Sequence, residues 1–160
     1  MQIKKILVAT DFTSVADNAI SHAVKLASAT DAEIYALHVV KEDNEIEAAR
    51  TKVLKQVAKY NGVNIKPLIR IGSFINEIGD AAAEVQAQFI VMGTHGVSGF
   101  EEKWVGSNAF RVVNHASCPV LTLRYNFPKR PIKRIILPID ISYDTRLKVP
   151  FLANLADIFK

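Results

Sequence analysis

Cysteine is nearly absent: Cys118 is the only one in 160 residues. A single cysteine excludes an intrachain disulfide and fits a reducing compartment. Beside the apolar run 119–123 it reads as a small buried hydrophobe rather than a reactive thiol. Long apolar runs are missing too, and none approaches the ~20 residues of a membrane-spanning helix. The opening MQIKKILVATDF is too short in its apolar part for the roughly 7–15-residue core of a secretory signal, so a cytoplasmic protein is expected. No broad excess of one charge exists. The net charge is +4, but residues 129–160 hold seven Lys/Arg against three Asp, and residues 1–128 hold thirteen of each sign. A neutral body argues against a nucleic-acid footprint. The basic cluster KRPIKR, 129–134, surrounds a proline as a solvated linker does. His22, His38 and His115 share no spacing with one another or with cysteine, which argues against zinc. Neither a P-loop signature nor a catalytic-triad motif occurs. What remains is ordinary globular composition, 49% hydrophobic and 22% charged, on a chain long enough for one domain.

The apolar pattern alternates between two periods. Runs at 3–9, 33–40, 64–71, 89–92 and 119–124 read as strands, the first without polar interruption after Lys5, as buried parallel strands are. Between them lie helical patterns. Ala16, Ala19, Ile20, Ala23, Val24 and Ala27 form a stripe behind Ser14, which can cap that helix. A charged amphipathic stretch spans 44–60, closed by Asn61-Gly62. Further helices are expected at 74–88 and 107–116. Strands and helices alternating five times predict an α/β fold: an open five-stranded parallel sheet with right-handed crossovers and helices on both faces. Pro67 lacks a backbone donor and wants an edge strand. The order 3-2-1-4-5 satisfies it and sets strands one and four side by side, where the order reverses and ligands bind beyond the carboxyl ends.

The tail repeats the beginning. IKKILVATDFTS (3–14) matches IKRIILPIDISY (132–143) at an offset of 129: Ile3, Lys4, Ile6 and Asp11 recur as Ile132, Lys133, Ile135 and Asp140, and Leu26-Ala27 as Leu155-Ala156. The expected organisation is a domain at 1–124, a linker at 125–131, and at 132–160 the first strand and helix of a second, incomplete repeat. A lone strand and helix cannot build a core, so the expectation is a chain cut short from a tandem protein. The stranded piece would cover the strand-five edge or swap into a neighbouring chain. A simple terminal extension of one domain is the alternative.

Glycine is scarce, yet four of the seven fall in MGTHGVSGFEEKWVGSNAF, 92–110. Gly93 and Gly96 would let the backbone bend off strand four, and Gly106-Ser107-Asn108 would open the next helix, where free N–H groups and the dipole attract anions. The spacing suits a polyphosphate facing Asp11 across the switch point, with His95 as a further donor. A flexible loop with a serine cap is the other reading. Arg70 and Ser73, around Gly72, lie on the same side and would gate a phosphate or cap a helix. Glu101 and Glu102 would oppose phosphate if aimed inward, and Lys103 offsets one of them. Trp104 would pack the loop down or join an interface.

The pattern G-x2-G-x9-G-S after strand four, with an Asp ending strand one, resembles the universal stress protein family of adenine-nucleotide-binding α/β domains. GTHG, GSNA and the closing ASCPVLTLR carry the likeness over residues 1–124, and the tail resembles the opening of a second such domain. The resemblance implies a Rossmann-like fold of the adenine nucleotide alpha hydrolase type. It implies that Asp11 faces adenine and ribose, that the backbone at Val39 and Val40 contacts the adenine, and that Gly93, Gly96, Gly106 and Ser107, with Asn108 adjoining, cradle the phosphates of ATP, ADP or AMP, bridged by Mg²⁺ or Mn²⁺. It implies a homodimer through the strand-five edge, for which the tail would compete, and a nucleotide-responsive role in stress regulation. An enzyme, a slow ATPase or adenylyl transferase, would need a base or nucleophile, for which only Asp11 and His95 offer themselves. A dimerisation module that binds no nucleotide is the third reading.

Overall fold

The computed structural model describes residues 2–94, 107–124, 132–140 and 143–159. The chain divides into two compact units: Ile3–Phe127, and Pro128–Lys160 together with Met1–Gln2. The larger unit runs β1 (Lys5–Ala9), α1 (Ser14–Thr30), β2 (Glu33–Val40), a 3-10 turn (Asp43–Glu45), α2 (Ile46–Val57), β3 (Ile65–Ile71), α3 (Phe74–Glu84), β4 (Phe89–Gly93), α4 (Ser107–His115) and β5 (Val120–Leu123). The five strands are all parallel in the order β3-β2-β1-β4-β5. Pro67 stands opposite Ala36 on β3, an edge strand, where a missing N–H leaves the ladder intact.

Side chains alternate across the sheet. Leu7, Ala9, Leu37, Ile90 and Met92 pack with Ile78, Ala81 and Ala82 of α3 and Ala109 and Val112 of α4. The alternate positions Ile6, Val8, Ile34, Ala36 and Val91, all buried, face the opposite layer, where α1 packs on β1 and β4 and α2 on β2 and β3. The α1 stripe is buried at Ala16, Ala19, Ile20, Ala23 and Ala27, with Val24 at its margin.

Helix ends depart from the sequence reading. Thr13, not Ser14, caps α1: its Oγ1 accepts from the Ala16 N–H at 3.3 Å. Helix α2 stops at Val57 with Ala58 still right-handed, and Gly62, at φ 84°, turns the chain further on. Helix α3 ends at Glu84 rather than 88, because Gln86 takes φ 56° and the Ala87 N–H returns to the Ala82 carbonyl. A left-handed residue at such an end is usually glycine, so Gln86 carried no warning.

In the smaller unit no strand forms at 132–140. A strand exists only through a ladder, and this apolar segment has none among the described residues. Ile136 is 81% exposed and Ile139 63%. Helices follow at α5 (Tyr143–Arg146) and α6 (Lys148–Ile158), the span that the offset of 129 assigns to α1. Pro150 lies in the first turn of α6, where its absent N–H has no intrahelical partner to lose. The linker 125–131 lies outside the described residues.

Candidate functional site

β1 and β4 are neighbours, so the loop after Ala9 and the chain leaving Gly93 emerge side by side where the strand order reverses. Thr10 leaves the ladder last: its N–H donates to the Leu37 carbonyl at 2.8 Å. Asp11 follows, half-buried. Its Oδ1 accepts from the Thr13 hydroxyl at 2.5 Å and from the Thr13 N–H at 3.1 Å. Both bonds fall on one oxygen, and among the described residues Oδ2 takes none. Thr13 therefore does two jobs, starting α1 and anchoring the carboxylate.

The residue after Asp11 is left-handed without being glycine: Phe12 has φ 65°. Its N–H donates to Thr10 Oγ1 at 3.1 Å, and its ring lies 4.4 Å from the His38 ring, centroid to centroid. His38 Nδ1 sits 2.8 Å from the Thr10 carbonyl, which can only accept, so that nitrogen carries the proton. Lys52 on α2 places its ammonium 5.8 Å from the Phe12 ring centroid.

Val39 and Val40 end β2 beside this loop, Val40 buried, and the Val40 carbonyl accepts from the Gly72 N–H. Gly93 ends β4 opposite Leu123. A Cβ on Gly93 would lie 2.5 Å from Val15 Cγ1, so its missing side chain already serves the close approach of α1. Asn108 is exposed in the first turn of α4. Of Ser107 only the backbone is described, opening that helix. His95, Gly96, Glu101, Glu102, Lys103, Trp104 and Gly106 lie outside the described residues. The structure thus brings Asp11, the end of β2 and the end of β4 to one edge of the sheet.

Arg70 is committed elsewhere, paired with Glu84 on α3. Ser73 occupies the cap position of α3 without a side-chain capping bond. The remaining histidines satisfy their own helices: His22 Nδ1 meets the Asn18 carbonyl at 2.9 Å and His115 Nδ1 the Arg111 carbonyl at 2.7 Å. Among the described residues no three His, Cys, Asp or Glu side chains cluster as metal ligands. Burial raises the Cys118 thiol above its ordinary pKa, which favours the protonated form over the thiolate. No helix among the described residues is long and apolar enough to cross a membrane.

Sequence reasoning placed the loop Thr10-Asp11-Phe12-Thr13 at the switch point but gave a role there to Asp11 alone, and it missed His38 and Gln56. Thr13 was detectable, because Asp-x-Thr is an Asx-turn pattern in which a carboxylate takes the N–H two residues on. The others meet only through the fold.

The model of the Universal stress protein family matches residues 2–124. A universal stress protein of Methanocaldococcus jannaschii is 36% identical over 142 residues, covering 76% of this chain and 82% of that protein. The solved structure of hypothetical protein MJ0577 has a TM-score of 0.69 at 28% identity, covering 78% of this chain and 97% of its own. A universal stress protein solved in complex with cAMP shares the fold, with a TM-score of 0.65 at 20% identity over 78% of this chain and 99% of that one. With its fold, its switch point and residues 2–124 all accounted for in this way, the chain belongs to the universal stress protein family.

Proposed function

We propose that this protein binds an adenine nucleotide, ATP or AMP, at the β1–β4 switch point, and that occupancy makes it a nucleotide-responsive regulator in the cytoplasm. The observation carrying this reading is Asp11. Its carboxylate stands at the carboxyl end of β1, held through one oxygen by Thr13, with the other oxygen available for a sugar hydroxyl. Val39 and Val40 border the same edge, suited to adenine. Gly93, Gly96, Gly106, Ser107 and Asn108 would cradle the phosphates, with His95 as donor. The related fold solved with cAMP supports an adenine nucleotide as the ligand class.

An Mg²⁺ or Mn²⁺ would accompany the phosphates of a bound nucleotide. The metal would screen phosphate charge at the loop. A homodimer through the β5 edge is the partner reading. β5 has a neighbour on one side only, and α4 leaves Phe110 62% and Val113 47% exposed. Residues 132–160 would correspond to the opening strand and helix of a second repeat, although 132–140 form no strand among the described residues.

The test is to denature freshly purified protein and identify the released nucleotide by mass spectrometry, beside a Gly106→Val variant. Near-equal ATP or AMP from the wild type and none from the variant supports the site. An empty wild type whose melting temperature ATP does not raise refutes it, because a ligand of the native state must stabilise that state.

A further inference from the structure

Asp11 is flanked by Thr10 and Phe12, and both are held by residues that no motif contains. Thr10 is 5% exposed. Its hydroxyl donates to Gln56 Oε1 on α2 at 2.8 Å and accepts the Phe12 N–H. Gln56 Nε2 in turn donates to Asp17 Oδ1 on α1 at 2.9 Å, and Lys59 lies 3.6 Å from the same oxygen. The direction of this chain follows from chemistry alone. A carboxylate only accepts, so the Gln56 NH₂ must face Asp17. Its carbonyl then faces Thr10, so the Thr10 proton must point to it. The Thr10 lone pairs are thereby left for the Phe12 N–H, which supports a left-handed backbone that an aromatic residue rarely adopts.

We infer that Gln56 is a positioning residue for the nucleotide site, acting through Thr10 and Phe12 on Asp11; this rests on the nucleotide reading above. Asp17 sets the polarity of the relay, and α2 is the element through which it reaches the loop.

The experiment measures ATP and AMP binding to the full chain by calorimetry. Gln56→Met keeps the length of the side chain and removes both bonds, and should raise Kd about tenfold. Gln56→Glu places a carboxylate against Asp17 and should do at least as much. Gln56→Glu with Asp17→Asn reverses the donor and restores both bonds, so Kd should return to within about threefold of wild type. In an Asp11→Ala background, Gln56→Met should change Kd less than about twofold, since the relay acts through that carboxylate. Wild-type binding by Gln56→Met, failure of the reversed pair to recover, or a full tenfold loss in the Asp11→Ala background would each overturn the inference alone. A folded wild type that binds neither ATP nor AMP overturns the nucleotide reading and this inference with it.

Discussion

Residues 3–30 and 132–159 share several apolar and acidic positions at an offset of 129, yet only the first becomes a strand followed by a helix. In the first segment β1 lies between β2 and β4 and is buried on both faces. In the second, the residues matching β1 form no strand among the described residues, and the residues matching α1 are helical. A helix satisfies its backbone within itself, whereas a strand borrows its partners from neighbours. Similar apolar patterns therefore separate according to the ladder partners each finds.

Substitution at paired positions sharpens that contrast most. Leu7, fully buried, corresponds to Ile136, 81% exposed. Leu7→Ala should cost about 2–5 kcal/mol in urea unfolding, and Ile136→Ala no more than about 0.5 kcal/mol. Comparable losses at the two positions would mean that the second segment is packed as the first is.

The approach of α1 to β4 comes next. Gly93→Ala would drive a methyl into Val15 and should cost about 1–3 kcal/mol. The double variant with Val15→Ala should cost less than the two single losses added together, and strict additivity would remove this contact as the reason for glycine. At the offset of 129 the residue matching Val15 is Asp144.

Smaller effects belong to the loop hydroxyls. Thr13→Ala removes the α1 cap and the hydroxyl bond to Asp11, leaving only the backbone N–H on that carboxylate, and should lower stability by about 1 kcal/mol. In the C-terminal segment Thr145 donates to Asp140 at 2.9 Å on an exposed surface, and Thr145→Ala should stay within about 0.5 kcal/mol. Thermal unfolding of the two variants decides it, and nucleotide binding should weaken in the first alone.

The smallest effect is a titration on the β2–β3 edge. Lys66 and the Tyr35 hydroxyl both donate to Glu33 and hold its carboxyl below the ordinary value of 4.5. A depressed folded pKa stabilises above the unfolded pKa and is lost as pH falls through the folded one. Glu33→Gln should therefore lower the melting temperature slightly at neutral pH, and its difference from wild type should vanish as pH falls from about 4.5 towards 3. A difference that persists at pH 3 would assign the effect to packing.

Strand order, edge placement of Pro67 and the position of Asp11 were legible because burial and turn chemistry leave local signs. Pro67 lacks a donor, β1 lacks polar interruption after Lys5, and an Asp after a buried strand stands out. The helix ends at Gln86 and Val57 were not legible, since no glycine marks the first and the glycine near the second lies beyond the end. Gly93 was read as room for a ligand; its missing side chain also makes room for Val15, a residue 78 positions away in the chain.

The sequence by itself determined which segments are helical, which are apolar enough to be strands, and which family the chain resembles, because periodicity, proline and glycine spacing act over a few residues. Only the tertiary structure decided that residues 5–9 become a central strand while 132–140 form none among the described residues, and that His38 and Gln56 reach the loop around Asp11. Those outcomes depend on partners from other elements. A ladder needs a neighbouring strand, and a hydrogen-bonded relay needs α1 and α2 set side by side on the sheet.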